Sequence, residues 1–212
     1  MKRISILGSG RVGTALATRL AQSSYQVTVG TRNGETALPG WRGPAVEFCN
    51  HVDAIRVSPI VVNATPGDTS LERFTALREE LSGKILVDVS NATVRDAGSM
   101  PGDLLYPNSS LAEHLQSALV DTHVVKTLNT MMFTVMVSPS SLAQHPTAFI
   151  SGNDPQAKEA VVTVLQDIGW PVERIMDLGD VTSARGTEAM FSMVPLALRK
   201  LGLVPFALTL TL

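Results

Sequence analysis

The chain has 212 residues, 44% of them apolar, which is enough to bury one sizeable core with a small appendage. Its formal net charge of −2, with no cluster of Lys or Arg, leaves no electrostatic footprint for nucleic acid or an anionic membrane. Cys49 is the only cysteine, so no intramolecular disulfide is possible, and the lack of Cys and His at ligand spacing argues against a structural metal.

The first predicted element is the apolar run Ile4-Ser5-Ile6-Leu7, a strand. Lys2 and Arg3 precede it, but the run is too short for a secretory signal core, so a reducing, cytoplasmic setting is expected. The strand enters Gly8-Ser9-Gly10-Arg11-Val12-Gly13, and Val12, Ala15, Leu16, Ala17 and Leu20 follow at helical spacing. Strand, glycine turn and helix in this order form a dinucleotide fingerprint. Gly8 supplies the tight turn, Gly10 lets the backbone approach a diphosphate, and Gly13 lets helix and strand pack closely.

The end of the second strand decides between the nicotinamide cofactors, because a carboxylate there bonds a ribose and a cation accepts a 2′-phosphate. That strand reads Gln26-Val27-Thr28-Val29-Gly30 and continues into Thr31-Arg32-Asn33, with Glu35 the nearest carboxylate. Thr31 and Asn33 can donate to phosphate oxygens, and Arg32 offers a permanently charged fork, so the expected cofactor is NADP(H).

Strand and helix patterns then alternate as in a parallel sheet with crossover helices. Residues 59–64 and 85–89 read as strands around an amphipathic helix over 71–81. Ligands in such sheets sit at the carboxyl ends of strands, which places Ala64, Thr65, Pro66 and Gly67, and Ser90, Asn91 and Ala92, along the nicotinamide half. A helix over 110–119 precedes a strand through Val124-Val125-Lys126, and the loop 127–132 contains Asn129. A strand over 148–150 and a helix over 155–168, capped by Gly169, come next. The apolar range 190–212 is interrupted by Arg199-Lys200 and broken by Pro195 and Pro205, which suits a terminal helix and tail packing on the body or across a dimer. The fold class is α/β, a Rossmann-type doubly wound parallel sheet, with residues 1–150 as the NADP-binding domain and 151–212 as a substrate and dimerisation region.

Together these motifs resemble the NADPH-dependent reductases of the deazaflavin coenzyme F420. The resemblance spans nearly the whole chain, through residues 6–13 with Leu16-Ala17, Gly30-Thr31-Arg32, Asp88-Val89-Ser90-Asn91, residues 124–130, Gly152-Asn153-Asp154 and Ala184-Arg185-Gly186-Thr187-Glu188. It implies direct hydride transfer between NADP(H) and coenzyme F420 stacked in a cleft. The family's phosphate positions fall on Ser9, Arg11, Val12, Thr31 and Arg32, and its nicotinamide positions on Thr65, Pro66, Asn91 and Asn129. Past the arginine, where the family often carries another cation, this chain has Gly34-Glu35-Thr36. Sequences of this type also resemble the reductase domains of membrane ferric reductases and the amino-terminal half of pyrroline-carboxylate reductases, so fold-level analogy does not fix the acceptor.

No catalytic triad or carboxylate pair is evident, which suits chemistry that needs positioning rather than acid or base. Asn129 and Lys126 are the positioning candidates; Lys126, ending a strand, can hold a substrate anion or a neighbouring carboxylate. Arg185 and Glu188, three apart, can pair with each other, or Arg185 can meet an acidic acceptor tail. His51, His114, His123 and His145 read as solvated or capping residues. Alternatives to the F420 reading are a reductase of a flavin or a small imine or carbonyl substrate, and an NADPH-sensing regulator without turnover. The expected partners are a small-molecule hydride acceptor and a second copy of the chain.

Overall fold

The structure, a computed structural model, describes residues 2–34, 38–94 and 102–210; Glu35 and the last two residues of the apolar tail lie outside them. The opening motif forms strand β1 (Arg3–Leu7), helix α1 (Arg11–Gln22) and strand β2 (Gln26–Thr31). Next come β3 (Glu47–Asn50), α2 (His51–Arg56), β4 (Ile60–Asn63), α3 (Ser70–Thr75), α4 (Arg78–Leu81) and β5 (Ile85–Asp88). The second half holds α5 (Leu111–Ala118), β6 (His123–Thr127), α6 (Phe133–Met136), β7 (Ala148–Gly152), α7 (Pro155–Asp167), β8 (Ile175–Asp177), α8 (Ala184–Met190) and α9 (Val194–Leu201).

The eight strands of the described residues join one sheet in the order β3-β2-β1-β4-β5-β6-β7-β8. The first six run parallel in the 3-2-1-4-5-6 order of dinucleotide-binding sheets. The β6–β7 pairing is antiparallel, so the sheet is mostly rather than wholly parallel. Because β7 spans residues 148–152, the sheet runs unbroken across the division drawn after residue 150.

Side chains alternate across the sheet and fill two cores. Ile4 and Ile6 pack with Leu16 and Leu20 of α1 and Val161 and Leu165 of α7. Leu7 faces the opposite way, into a core with Ile55 of α2, Phe74 of α3 and Leu111 and Leu115 of α5. β1 is buried on both faces after its first residue, which is why it reads as a near-continuous apolar run.

Register is what builds the site. Leu7 pairs with Gly30 and Asn63, Asn63 with Asp88, and Asp88 with Lys126, so the polar strand ends of β4, β5 and β6 form one row at the carboxyl edge.

Several elements differ from the sequence reading. The helix over 71–81 is two pieces, because the backbone leaves helical geometry at Leu77 (φ −112°, ψ 17°). Strands β3 and β8, four and three residues long, carry too few apolar positions to show a period. Pro195 does not break the terminal helix. It sits in the first turn of α9, where its missing N–H costs no bond. The tail then returns to the body: Leu208 N donates to Thr130 O at 2.8 Å and Met132 N to Phe206 O at 3.0 Å. Among the described residues no helix is long and apolar enough to cross a membrane.

Candidate active site

The glycine turn meets the steric demands of a dinucleotide fingerprint. A Cβ on Gly13 would stand 1.9 Å from Gly8 O, and one on Gly8, at φ +114°, would stand 2.5 Å from Ala64 O. These glycines are required by the protein itself. A Cβ on Gly10 would meet nothing within 4 Å, so the space over Gly10 is open for a ligand. The amino terminus of α1 has neither a side-chain cap nor an acidic residue in its first turn, whereas Asn50, Ser110 and Asp154 cap α2, α5 and α7. Its N–H groups and dipole therefore point at unclaimed space, the setting that suits a diphosphate.

Beside this turn lies a cleft of about 550 Å³. It is lined by Gly8, Ser9, Gly10, Arg11 and Val12 of the turn, by Arg32 and Asn33 after β2, and by Ala64, Thr65 and Pro66 after β4. Gly13 and Thr31 are not on its surface. Gly13 is buried under the turn, and the buried Thr31 hydroxyl turns to Cys49 O at 3.3 Å. The cleft also includes His51 and Arg73, which sequence reasoning missed. Arg73 donates from Nη1 to Thr65 Oγ1 and from Nη2 to Thr69 Oγ1, both at 3.0 Å. Burial, then the charges of Arg73 and Arg32, hold the His51 imidazole below its ordinary value.

A second cleft of about 660 Å³ continues the first, sharing Arg11, Val12, Thr65 and Pro66 with it. Its polar floor is Ser90, Asn91 and Asn129; its opposite wall is apolar, with Met131, Met132, Phe133 and Met136 joined by Phe191, Val194, Leu198 and Leu203. Asn91 and Asn129 clasp each other: Asn91 Nδ2 donates to Asn129 O at 2.8 Å, and Asn129 Nδ2 to Asn91 Oδ1 at 2.9 Å. Leu128, next to Asn129 in the chain, takes φ +60°, a strained value for a bulky residue. Among the described residues, only Arg11 and Asp68 bring an ionisable side chain to this cleft. Ala92 is buried beside the floor rather than on it. A further groove, about 710 Å³, follows the outer face of α1 and shares only Arg11 and Phe133 with the second cleft.

Beneath the floor, Lys126 does not face a ligand. Its Nζ lies 2.8 Å from Asp88 Oδ2 and 2.7 Å from Glu188 Oε1, with the three side chains 1%, 0% and 5% exposed. Burial alone would depress the ammonium, but the two carboxylates outweigh it and hold Lys126 above its ordinary value. Asp88 Oδ1 also accepts from Asn63 Nδ2 at 2.8 Å and Ser90 Oγ at 2.7 Å, while Lys126 donates to Ser90 O. Glu188 accepts from Leu111 N at 2.9 Å and Ala112 N at 3.3 Å, closing the start of α5. Arg185 and Glu188 thus do not pair with each other. Arg185 is held instead by Glu113, with Nε 2.8 Å from Oε2.

Comparison with known proteins identifies what the chain as a whole is similar to. Residues 3–92 match the family described as NADP oxidoreductase, coenzyme F420-dependent. The chain is 31% identical over 215 residues to rat metalloreductase STEAP3, covering 99% of this chain but spanning only 40% of that relative. It is 28% identical over 201 residues to the F420-dependent NADP reductase of Methanocaldococcus jannaschii, covering 89% and 88% of the two chains. A crystal structure from Arthrobacter sp. FB24, described as an F420-dependent NADP reductase, superposes with a TM-score of 0.90 at 35% identity over the whole of both chains.

Proposed function

The chain belongs to the family of coenzyme F420-dependent NADP oxidoreductases, and on that premise we propose that its hydride partner for NADP(H) is the deazaflavin coenzyme F420 itself. The observation that carries this reading is the continuity of the two clefts, one fitted to a dinucleotide and the next offering a polar floor opposite a methionine and aromatic wall. A flat, mostly apolar ring system suits such a slot, with a few polar groups to orient it.

In this reading the first turn of α1 and the Gly8–Gly13 backbone hold the diphosphate, and Arg32 and Asn33 face the 2′-phosphate. Thr65, Pro66, Asn91 and Asn129 orient the nicotinamide; Met132, Phe133, Phe191 and Leu198 back the acceptor and exclude water. When bound, the two rings would supply the hydride chemistry, nicotinamide C4 to deazaflavin C5, with a proton from bulk solvent outside the ring interface balancing the reduction. The protein contributes position and dryness, which needs no acid or base on the cleft. Lys126, Asp88 and Glu188 act from below by fixing Ser90 and the strand ends. Exposed Met193 just before α9, Leu196 and Leu201 on it and Leu203 in the tail support a homodimer closed through that end. The lone Cys49 suits work in a reducing cytoplasm.

A second reading, reduction of a small imine or carbonyl, has one observation in its favour: Asp68 lines the acceptor cleft and could carry a proton. Mixing the protein with NADPH and, separately, coenzyme F420, FMN, FAD or a cyclic imine decides between them. Fast, selective bleaching of the deazaflavin supports the proposal. Imine turnover that Asp68→Asn abolishes supports the second reading, and tight NADPH binding without turnover points to a sensor.

A further inference from the structure

We propose that the groove along α1 holds an anionic extension of the hydride acceptor, its phosphate or carboxylate groups met by Arg11 and Arg19 while the ring lies in the second cleft. The inference rests on the assignment of that cleft to the acceptor.

The groove, about 710 Å³, shares Arg11 and Phe133 with the second cleft. The Arg11 guanidinium carbon lies 6.0 Å from the centre of the Phe133 ring, so a cation stands over an aromatic face that borders both spaces. From there the helix sets the course. Arg11, Thr14, Thr18 and Gln22 recur every three or four residues on one face of α1. Arg19 borders the same groove, eight residues and so about 12 Å along the helix axis from Arg11. The rest of the lining comes from residues 137–140 after α6 and from Ile168 and Gly169 after α7.

The charge here is all of one sign. Among the described residues no carboxylate lines the groove, and none pairs with Arg11 or Arg19. Asp167, next in the chain to Ile168, is engaged elsewhere: its Oδ2 accepts from Tyr25 Oη at 2.6 Å and from Lys2 Nζ. Arg19 is preset, because its Nε donates to Ile168 O at 2.9 Å, and Gly169 leaves it room, since a Cβ there would stand 3.1 Å from Nη2. A guanidinium held by one neutral carbonyl keeps its charge and most of its donors. Among the described residues the Ser138 and Ser140 hydroxyls make no hydrogen bond, so both can donate to an anion. Thr14 and Thr18 cannot, because they already donate to Gly10 O and Thr14 O, both at 2.8 Å. With Arg11 over Phe133 and Arg19 on Ile168, the two charges are spaced for a chain carrying more than one anion. Arg185, the sequence candidate for an acidic acceptor tail, is taken by Glu113 and lines neither the groove nor the second cleft.

The test compares coenzyme F420, acidic tail included, with the same deazaflavin lacking the tail, using NADPH and the full chain. Arg11 also borders the dinucleotide cleft, so Arg19, which does not, is the residue to change. KM for each acceptor is measured in the wild type, Arg19→Gln and Arg19→Glu, with thermal melts to confirm folding, and in the wild type across a salt series. Wild type should prefer the tailed acceptor, and the preference should shrink as salt screens the groove. Arg19→Gln should raise KM for the tailed acceptor about three- to tenfold, and Arg19→Glu more, while KM for the tailless one moves far less. The salt series needs no variant and decides the matter should neither fold. Equal KM for the two acceptors at every salt concentration, a preference left intact by Arg19→Glu, or variants that raise both KM values alike would overturn this inference and leave Arg19 as a brace for the turn after α7. Turnover of neither deazaflavin would overturn the F420 reading itself, and this inference with it.

Discussion

Glu188 of α8 reaches 2.7 Å from the Lys126 ammonium at the end of β6, tying the carboxyl-terminal region to the strand ends beneath the second cleft. With Asp88 on its other side, Lys126 neutralises one of two buried carboxylates, and the second is met by the N–H groups at the start of α5. Removing the lysine strands two buried negative charges; removing the Glu188 charge leaves a balanced pair. Lys126→Met should therefore cost about 3–5 kcal/mol, lowering Tm by roughly 10 °C, and Glu188→Gln clearly less. Thermal melts of both variants check the order, and equal losses would rule out this charge balance.

A second tie runs from α8 to α5 at the surface, between Arg185 and Glu113. Hydrogen bonds from Arg185 hold the Glu113 carboxyl below its ordinary value of 4.5, against the opposing effect of burial. A depressed carboxyl contributes stability that is present above its unfolded pKa and lost as pH falls through its folded one. Arg185→Gln should therefore be less stable than wild type at neutral pH, with the gap closing as pH drops from about 4.5 downward. Urea melts across that range test the sign; a gap that widens on acidification would refute the linkage.

What the sequence reveals of this arrangement depends on how local each feature is. The glycine turn is legible because strand, turn and helix lie within a dozen residues and each glycine has its own steric reason. Strand-end residues such as Thr65, Pro66 and Asn91 are legible because ligands in these sheets gather at carboxyl ends. Arg73 is not, because only the docking of α3 beside β4 brings it to the cleft that Arg32 enters from β2. Spacing suggests that Arg185 pairs with Glu188, yet the buried Lys126 and two N–H donors offer Glu188 more than an exposed arginine can. The short strands β3 and β8 escape notice because they hold too few positions to show a period.

Arg32 carries the cofactor assignment that the sequence alone supports. Arg32→Ala should raise KM for NADPH about 10–100-fold, the loss expected for charge-assisted contacts to a phosphate, and should shift KM for NADH far less. Initial rates with each coenzyme suffice. Parallel shifts would mean that Arg32 contacts something common to both.

Gly10 and Gly13, three residues apart, should fail in opposite ways when given a methyl group. On Gly13 the new carbon collides with the Gly8 carbonyl, which is backbone and cannot swing aside, so the turn must shift. Gly13→Ala should lower Tm by several degrees and weaken both coenzymes through a distorted turn. On Gly10 the carbon meets nothing within 4 Å, so Gly10→Ala should melt within about a degree of wild type. Its methyl would occupy space proposed for the diphosphate, so KM should rise for NADPH and NADH together, unlike the selective loss in Arg32→Ala. Thermal melts and initial rates on the two variants separate the roles. A Gly10→Ala protein that binds both coenzymes as wild type does would show that the diphosphate lies elsewhere.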